Sequence, residues 1–278
     1  MKAALTANIS FIGGGNMAQA LIGGLLSQGL PATRVTVSEP VAAIRDMLAF
    51  KGVGVTADNL AAIEHADIIV LAVKPQLMGS VLAPLAGKLK NQLVISIAAG
   101  IGIETLSRLL GGYHRIVRAM PNTPALIQAG ATGLYADVAV ADHDRIQAAK
   151  VLGAAGLVIW VDEEKKLDAV TAVSGSGPAY FFYMMEAMIQ AGKELGLDER
   201  TAVTLTLQTA LGSAQMAVTS EQSPTQLRKN VTSPNGTTQA ATDSMDAAHV
   251  AQHIREALAA AARRSEELAI LLDQTAAN

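Results

Sequence analysis

Hydrophobic positions in the first half of the chain fall into two alternating patterns. Short runs rich in β-branched residues predict strands at Asn8–Ile12, Arg34–Ser38, Ile68–Val73, Leu93–Ile97, His114–Arg118, Thr132–Tyr135 and Val158–Val161. Between several of them lie Ala- and Leu-rich stretches of helical period, such as Met17–Gln28 and Val41–Lys51. Such alternation calls for crossover connections, which pair strands in parallel with a right-handed turn. The expected fold is a doubly wound α/β sheet.

Near Glu163 the pattern changes to helix alone. Ser176-Gly177-Pro178 predicts a helix start, with Pro at the first helical position where its missing N–H costs nothing. That helix runs to about Leu195 and is closed by Gly196. Asp198 is placed to cap the next, which extends to about Val218. Ser223-Pro224 opens a short helix, another follows Gly236, and a long one starts near Ala247. The expected division is a sheet domain over residues 1–163 and an all-helical domain over 164–278. The helical half carries small residues throughout (Gly192, Ala210, Gly212, Ala214) and little charge, which predicts a buried dimer interface.

Composition narrows the function classes. Of 278 residues 50% are hydrophobic and 16% charged, with a net charge of -3, so a basic footprint for nucleic acid is lacking. Without cysteine there are no disulfides, thiolate chemistry or Cys-based metal sites, and a reducing cytoplasm is the expected location. No apolar run in the sequence suggests a membrane span, and Met1–Ser10 does not read as a signal peptide. His249 and His253 are spaced i, i+4 as on one helix face, but they fall in no metal-binding motif, so no metal site is expected.

The clearest motif follows the first strand. Ile12 leads into Gly13-Gly14-Gly15-Asn16-Met17-Ala18, a G-x-G-x-x-A turn between strand and helix that binds dinucleotides. Gly13 permits the tight turn, Gly15 lets backbone approach a pyrophosphate, and Ala18 lets the helix pack on the strand. Helix N-terminal N–H groups then face the phosphates. Glu39, 39 − 13 = 26 residues past the first glycine, is placed to accept from the adenine ribose hydroxyls or else is a solvated turn residue. NADH or NADPH is the expected cofactor, and an acid at Glu39, which repels a 2′-phosphate, points to NADH. Ala72-Val73-Lys74-Pro75 and Ala98-Ala99 end two further strands at the edge where wound sheets bind ligands. Lys74 is either a cation near the cofactor or a surface lysine. Asn59 either reaches the adenosine or simply caps a helix.

Three stretches remain: Met120-Pro121-Asn122-Thr123-Pro124, Ser174-Gly175-Ser176-Gly177-Pro178-Ala179-Tyr180, and Val231-Thr232-Ser233-Pro234-Asn235-Gly236-Thr237-Thr238. Together with Phe11–Ala18 and Ala72–Gln76, their order and spacing resemble the pyrroline-5-carboxylate reductases along nearly the whole chain. The resemblance implies a Rossmann-type domain followed by an all-α dimerisation domain. It also implies hydride transfer from NADH or NADPH to the cyclic imine 1-pyrroline-5-carboxylate, giving L-proline, and homodimers that associate further, a ring of dimers being one arrangement. Gly236 before a helix leaves the N–H groups of Thr237 and Thr238 to hold the substrate carboxylate, and the Thr238 hydroxyl to meet the ring nitrogen. Where the family has two glycines this chain has Asn235-Gly236; Asn tolerates the left-handed conformation best after Gly. By the same resemblance Glu164 and Glu221 are candidates near the substrate, with Glu221 a possible proton donor, and Asn230 a contact to substrate or cofactor. Read from the residues alone, Glu164 belongs to a solvated acidic run and Glu221 to a polar turn. Two alternatives are a β-hydroxyacid dehydrogenase-like oxidoreductase, whose base would have to be Lys193, and a non-catalytic NAD(P)-binding protein.

Overall fold

A computed structural model describes residues 5–276, with side chains as far as Gln274; the first four positions of the amino-terminal stretch lie outside it. The chain forms two compact units, residues 1–176 with 261–278, and residues 177–260. The expected division at 163/164 falls between the last strand and the first helix after it.

The first unit holds an eight-stranded sheet in the order β3-β2-β1-β4-β5-β6-β7-β8. Its strands are β1 (Ile9–Ile12), β2 (Val35–Ser38), β3 (Gly54–Thr56), β4 (Ile68–Leu71), β5 (Leu93–Ser96), β6 (Ile116–Met120), β7 (Gly130–Ala136) and β8 (Gly156–Trp160). Strands β1, β4 and β5 are buried along their whole length, because helices cover both faces. Alternate residues feed two cores. Ile68 and Val70 join the cluster beneath α1 (Asn16–Ser27), whereas Ile69 and Leu71 join the one beneath α3 (Asn59–Ile63), α4 (Met78–Leu82) and α5 (Ile103–Leu109). Helix α2 (Ala42–Phe50) follows β2, and α6 (Asp142–Gly153) precedes β8.

Two features correct the sequence expectation. Strand β3, absent from the seven expected, pairs parallel to β2 through Thr36–Gly54, Val37–Val55 and Ser38–Thr56. Strand β7 is antiparallel to β6, not parallel. Only a short 3-10 turn, Thr123–Ile127, joins them, and no full crossover fits in that length.

Helix also begins earlier than expected. α7 (Lys166–Val170) runs through a π turn at Thr171–Gly175 toward α8 (Gly177–Glu194), so Pro178 is the second residue of α8 rather than the first. Gly175 lies where a Cβ would stand 2.5 Å from Met120 Cε, and Gly133 where one would stand 2.6 Å from Val170 Cγ1. These contacts seat the π turn against β6 and β7.

In the second unit α8 ends at Gly196, whose φ of 98° lets Leu197 N–H return to Gly192 O. Asp198 caps α9 (Glu199–Thr219) by accepting from Thr201 N–H, and Ser223 caps α10 (Pro224–Asn230) by accepting from Gln226 N–H. α11 (Thr237–Ala247) and the start of α12 (Val250–Ala276) complete it. Among its described residues only Gly177, Ala202 and Thr206 are buried, while Phe181, Phe182, Tyr183, Leu211 and Met216 are all more than half exposed. The carboxyl-terminal part of α12 belongs to the first unit: Ser265 donates to Asp168 Oδ1 at 2.6 Å, and Asp273 accepts from Thr105 and from Arg108 at 2.8 Å. No helix among the described residues is long and apolar enough to cross a membrane.

Candidate active site

The carboxyl ends of β1, β2 and β4 converge on the glycine turn. Gly13 N–H donates to Ser38 O at 2.8 Å, and Ala72 N–H to Ile12 O at 2.8 Å. Gly13 has φ 101°, and a Cβ there would lie 2.8 Å from Ala72 O, so both backbone angle and space demand glycine. Gly14 is buried against Ile44, Leu48 and Glu39. Gly15, the N-cap of α1, is exposed, and a Cβ built on it meets nothing within 4 Å. The N–H groups of Gly15, Asn16 and Met17 have no acceptor among the described residues. An open cradle lined by free N–H groups at the positive end of a helix fits a dinucleotide pyrophosphate.

Around this turn each expected cofactor residue has a distinct setting. Glu39 is 7% exposed, so it is no solvated turn residue; Oε2 accepts Gly14 N–H at 2.9 Å and Oε1 accepts Val41 N–H at 3.0 Å. Asn59 is not the helix cap. Asp58 caps α3 through Leu60 N–H, while Asn59 Oδ1 accepts from Ser38 Oγ at 2.6 Å. Ala72 and Val73 are half-buried; Lys74 is exposed and leads into a 3-10 turn with Pro75 at its first position. Ala98 is buried and Ala99 exposed at the end of β5.

Glu164 also departs from the solvated reading. Its Oε1 accepts Ile103 N–H at 2.8 Å and Arg118 Nη1 at 2.7 Å, joining α5 to β6. The sequence offered no signal for this pair, whose members lie 46 residues apart. Asn122 went unassigned too. It is 8% exposed, its Nδ2 donates to Ser174 O at 3.0 Å, and its Oδ1 accepts Ala131 N–H at 2.8 Å. Asn122 thereby ties the Met120–Pro124 motif to Ser174, beside a π turn of a kind frequent at functional sites.

The remaining candidates lie in the second unit. Asn235 adopts φ 58°, the left-handed conformation expected of it, and Gly236 is the N-cap of α11. A Cβ on Gly236 would stand 2.6 Å from Ser233 Oγ and 3.1 Å from Ser233 O, so the turn is close-packed at this glycine. Asn235 N–H is taken by Gln239 Oε1 at 2.7 Å, but no side chain caps α11. Thr237 and Thr238 N–H have no acceptor among the described residues. The helix therefore presents a donor pair suited to a carboxylate. Asn230 Nδ2 donates to Gln222 Oε1 at 2.7 Å, bracing the turn that carries the exposed Glu221.

A cleft of about 870 Å³ in the first unit is lined by Leu5, Leu30, Ile146, Leu157 and Trp160. It opens where the chain enters β1 and β2 rather than where it leaves them, away from the glycine turn, and has no part in the site.

Sheet order, glycine cradle and carboxyl-edge loops define a dinucleotide-binding oxidoreductase of the doubly wound class. Residues 164–268 match the family model "Pyrroline-5-carboxylate reductase dimerisation", and residues 8–100 match "NADP oxidoreductase coenzyme F420-dependent". A pyrroline-5-carboxylate reductase from Pseudomonas aeruginosa is 52% identical over 97% of this chain and 99% of its own. The solved pyrroline-5-carboxylate reductase from Coxiella burnetii superposes with a TM-score of 0.91 at 44% identity, over 95% of this chain and 99% of its own. That from Plasmodium falciparum, solved with NADP bound, gives 0.85 at 30% identity, over 95% and 98%. This chain belongs to the pyrroline-5-carboxylate reductase family.

Proposed function

We propose that this chain reduces 1-pyrroline-5-carboxylate to L-proline with NADH or NADPH, the last step of proline biosynthesis. The observation that carries the reading is the unsatisfied N-terminus of α11, Thr237 and Thr238, in a chain that also holds a dinucleotide cradle. Bound reduced nicotinamide would supply the hydride for the C=N carbon. Gly13, Gly14, Gly15, Asn16 and Met17 hold the pyrophosphate after Ile12; Glu39 and Asn59 face the adenosine half; Ala72, Val73, Lys74, Pro75, Ala98 and Ala99 border the nicotinamide half. Gly236 shapes the turn that lets Thr237 and Thr238 bind the substrate carboxylate through backbone N–H groups. The Thr238 hydroxyl hydrogen-bonds the ring nitrogen, and Glu221 is the candidate to deliver its proton. Asn230 braces the Glu221 turn, and Glu164 acts through Arg118 and Ile103, whose positions it fixes.

The proposal assigns cofactor binding to residues 1–163, and dimerisation with substrate binding to 164–278. The homo-oligomer that the dimerisation segment builds is read as a dimer that assembles further, as a ring of dimers. A cytoplasmic location is part of the same reading, supported by the cysteine-free sequence.

Absorbance at the reduced-nicotinamide band, with purified protein and pyrroline-5-carboxylate, tests the reaction. Oxidation with stoichiometric proline is expected, and Thr238→Ala is expected to lower kcat/KM by about 10²-fold. Folded protein that binds nucleotide but oxidises neither cofactor would refute it.

A further inference from the structure

The carboxylate of Glu39 is held in place by backbone, not by a cation. Oε2 takes Gly14 N–H and Oε1 takes Val41 N–H, at 2.9 and 3.0 Å. The turn beneath it is fixed as well: Glu39 N–H donates to Thr56 O at 3.0 Å. Arg45, the basic side chain on the same turn, spends its Nη1 on the carbonyls of Glu39 and Pro40, at 2.7 and 2.8 Å. No ion pair to Glu39 exists among the described residues. No cation among the described residues pairs with the acid beside the cofactor cradle, and it cannot swing away without breaking two hydrogen bonds to the loop.

We infer that this site selects the cofactor by charge: it takes NADH and rejects NADPH, with Glu39 as the discriminating residue. The inference rests on the proposed role of the glycine turn. Each carboxylate oxygen has two acceptor positions, and the loop uses one on each. The two left over suit the paired hydroxyls of an unmodified adenine ribose. A 2′-phosphate brings only acceptors and up to two negative charges against an acid that is held in place by the loop. Family membership leaves the choice to such local residues: the relative solved with NADP bound shares only 30% of its sequence with this chain.

Calorimetric titration of the full-length protein with NADH and with NADPH, without imine, reads the choice directly. NADH should bind at least about tenfold more tightly, the scale of a lost hydrogen bond to a charged group. Glu39→Gln is close in shape and removes the charge, at the cost of one of the two backbone hydrogen bonds, since only its amide oxygen accepts; it should shrink the NADH-to-NADPH gap to about threefold or less. Arg45→Gln should leave the ratio unchanged. Competition by adenosine 5′-monophosphate against adenosine 2′,5′-bisphosphate repeats the comparison on the native protein and decides alone should Glu39→Gln fail to fold. The inference is overturned by NADPH binding as tightly as NADH, or by Glu39→Gln weakening both equally, as a purely structural clasp would. Selective loss of NADPH binding in Arg45→Gln, or binding of neither nucleotide, also overturns it. Protein that prefers NADH yet reduces no imine keeps this inference and refutes the reaction instead.

Discussion

Gly13 and Gly15 stand two positions apart and are needed for opposite reasons. At Gly13 a side chain has nowhere to go: φ is 101° and a Cβ would lie 2.8 Å from a backbone oxygen. At Gly15 a side chain meets no protein atom within 4 Å and the backbone is ordinary, φ −67°, so nothing in the fold excludes alanine. The two substitutions should therefore separate folding from binding. Gly13→Ala should lower the melting temperature and abolish nucleotide binding together, since strained backbone and overpacking cost about 1–3 kcal/mol each. Gly15→Ala should leave melting within about 0.5 kcal/mol of the parent. Its methyl would still stand in the pyrophosphate cradle and should weaken NADH binding about tenfold or more. Fluorescence titration beside thermal melts checks both, and unchanged affinity in Gly15→Ala would remove the pyrophosphate from that position. The glycine motif was legible in sequence because every part of it is local. Glu39 was legible only as an acid at the right distance. Its burial and its clasp on Gly14 depend on a partner 25 residues away, and the Glu164 contacts on partners 46 and 61 away. Such pairs have no signature in one chain's sequence.

At the scale of elements the same division holds. Helix ends with their own chemistry, Asp198, Gly196 and Ser223, were readable because cap and capped group are neighbours. Three-residue β3 was not, since a run that short carries no period. The reversal of β7 and the π turn depend on how chain segments meet, not on propensity. So does the return of α12 to the sheet-bearing unit, where Asp273 accepts from Thr105 and Arg108. Those two bonds, Thr105 first, hold the Asp273 carboxyl below its ordinary value of 3.8. For a carboxyl lowered in the folded state, the stabilising contribution is present above the unfolded value and fades as pH falls through the folded one. The end of α12 should therefore stay docked at neutral pH and loosen below about pH 4. Amide protection factors along 261–274, compared at pH 7 and pH 3.5, should fall for the native protein. In Asp273→Asn they should be low already at pH 7. Equal protection at both pH values in the native protein would show that the carboxylate does not hold the helix.

For the whole molecule the decisive fact is what the second unit lacks. A stable domain must bury enough apolar surface to offset about 1–2 kcal/mol of backbone entropy per residue. Residues 177–260 bury almost none within one chain, while Phe181, Tyr183, Leu205, Leu211 and Met216 stand 68, 77, 55, 53 and 57% exposed. Covering one such side chain is worth about 1.5–3 kcal/mol, so a second copy seated on these helices would supply what the single chain does not. The match of residues 164–268 to a dimerisation family supports a homo-oligomer. Folding and association should then be one equilibrium. Sedimentation at low micromolar concentration should find a dimer or larger species and no stable monomer. Melting temperature should rise with protein concentration, as it does for any fold completed by association. Leu211→Asp, a charge placed on the exposed face of α9, should shift sedimentation toward monomer and lower melting even though it removes no contact from the single-chain core. A monodisperse monomer whose melting ignores concentration would mean that the helical unit is stable with its apolar faces bare. The link between its sequence and a partner would then be lost.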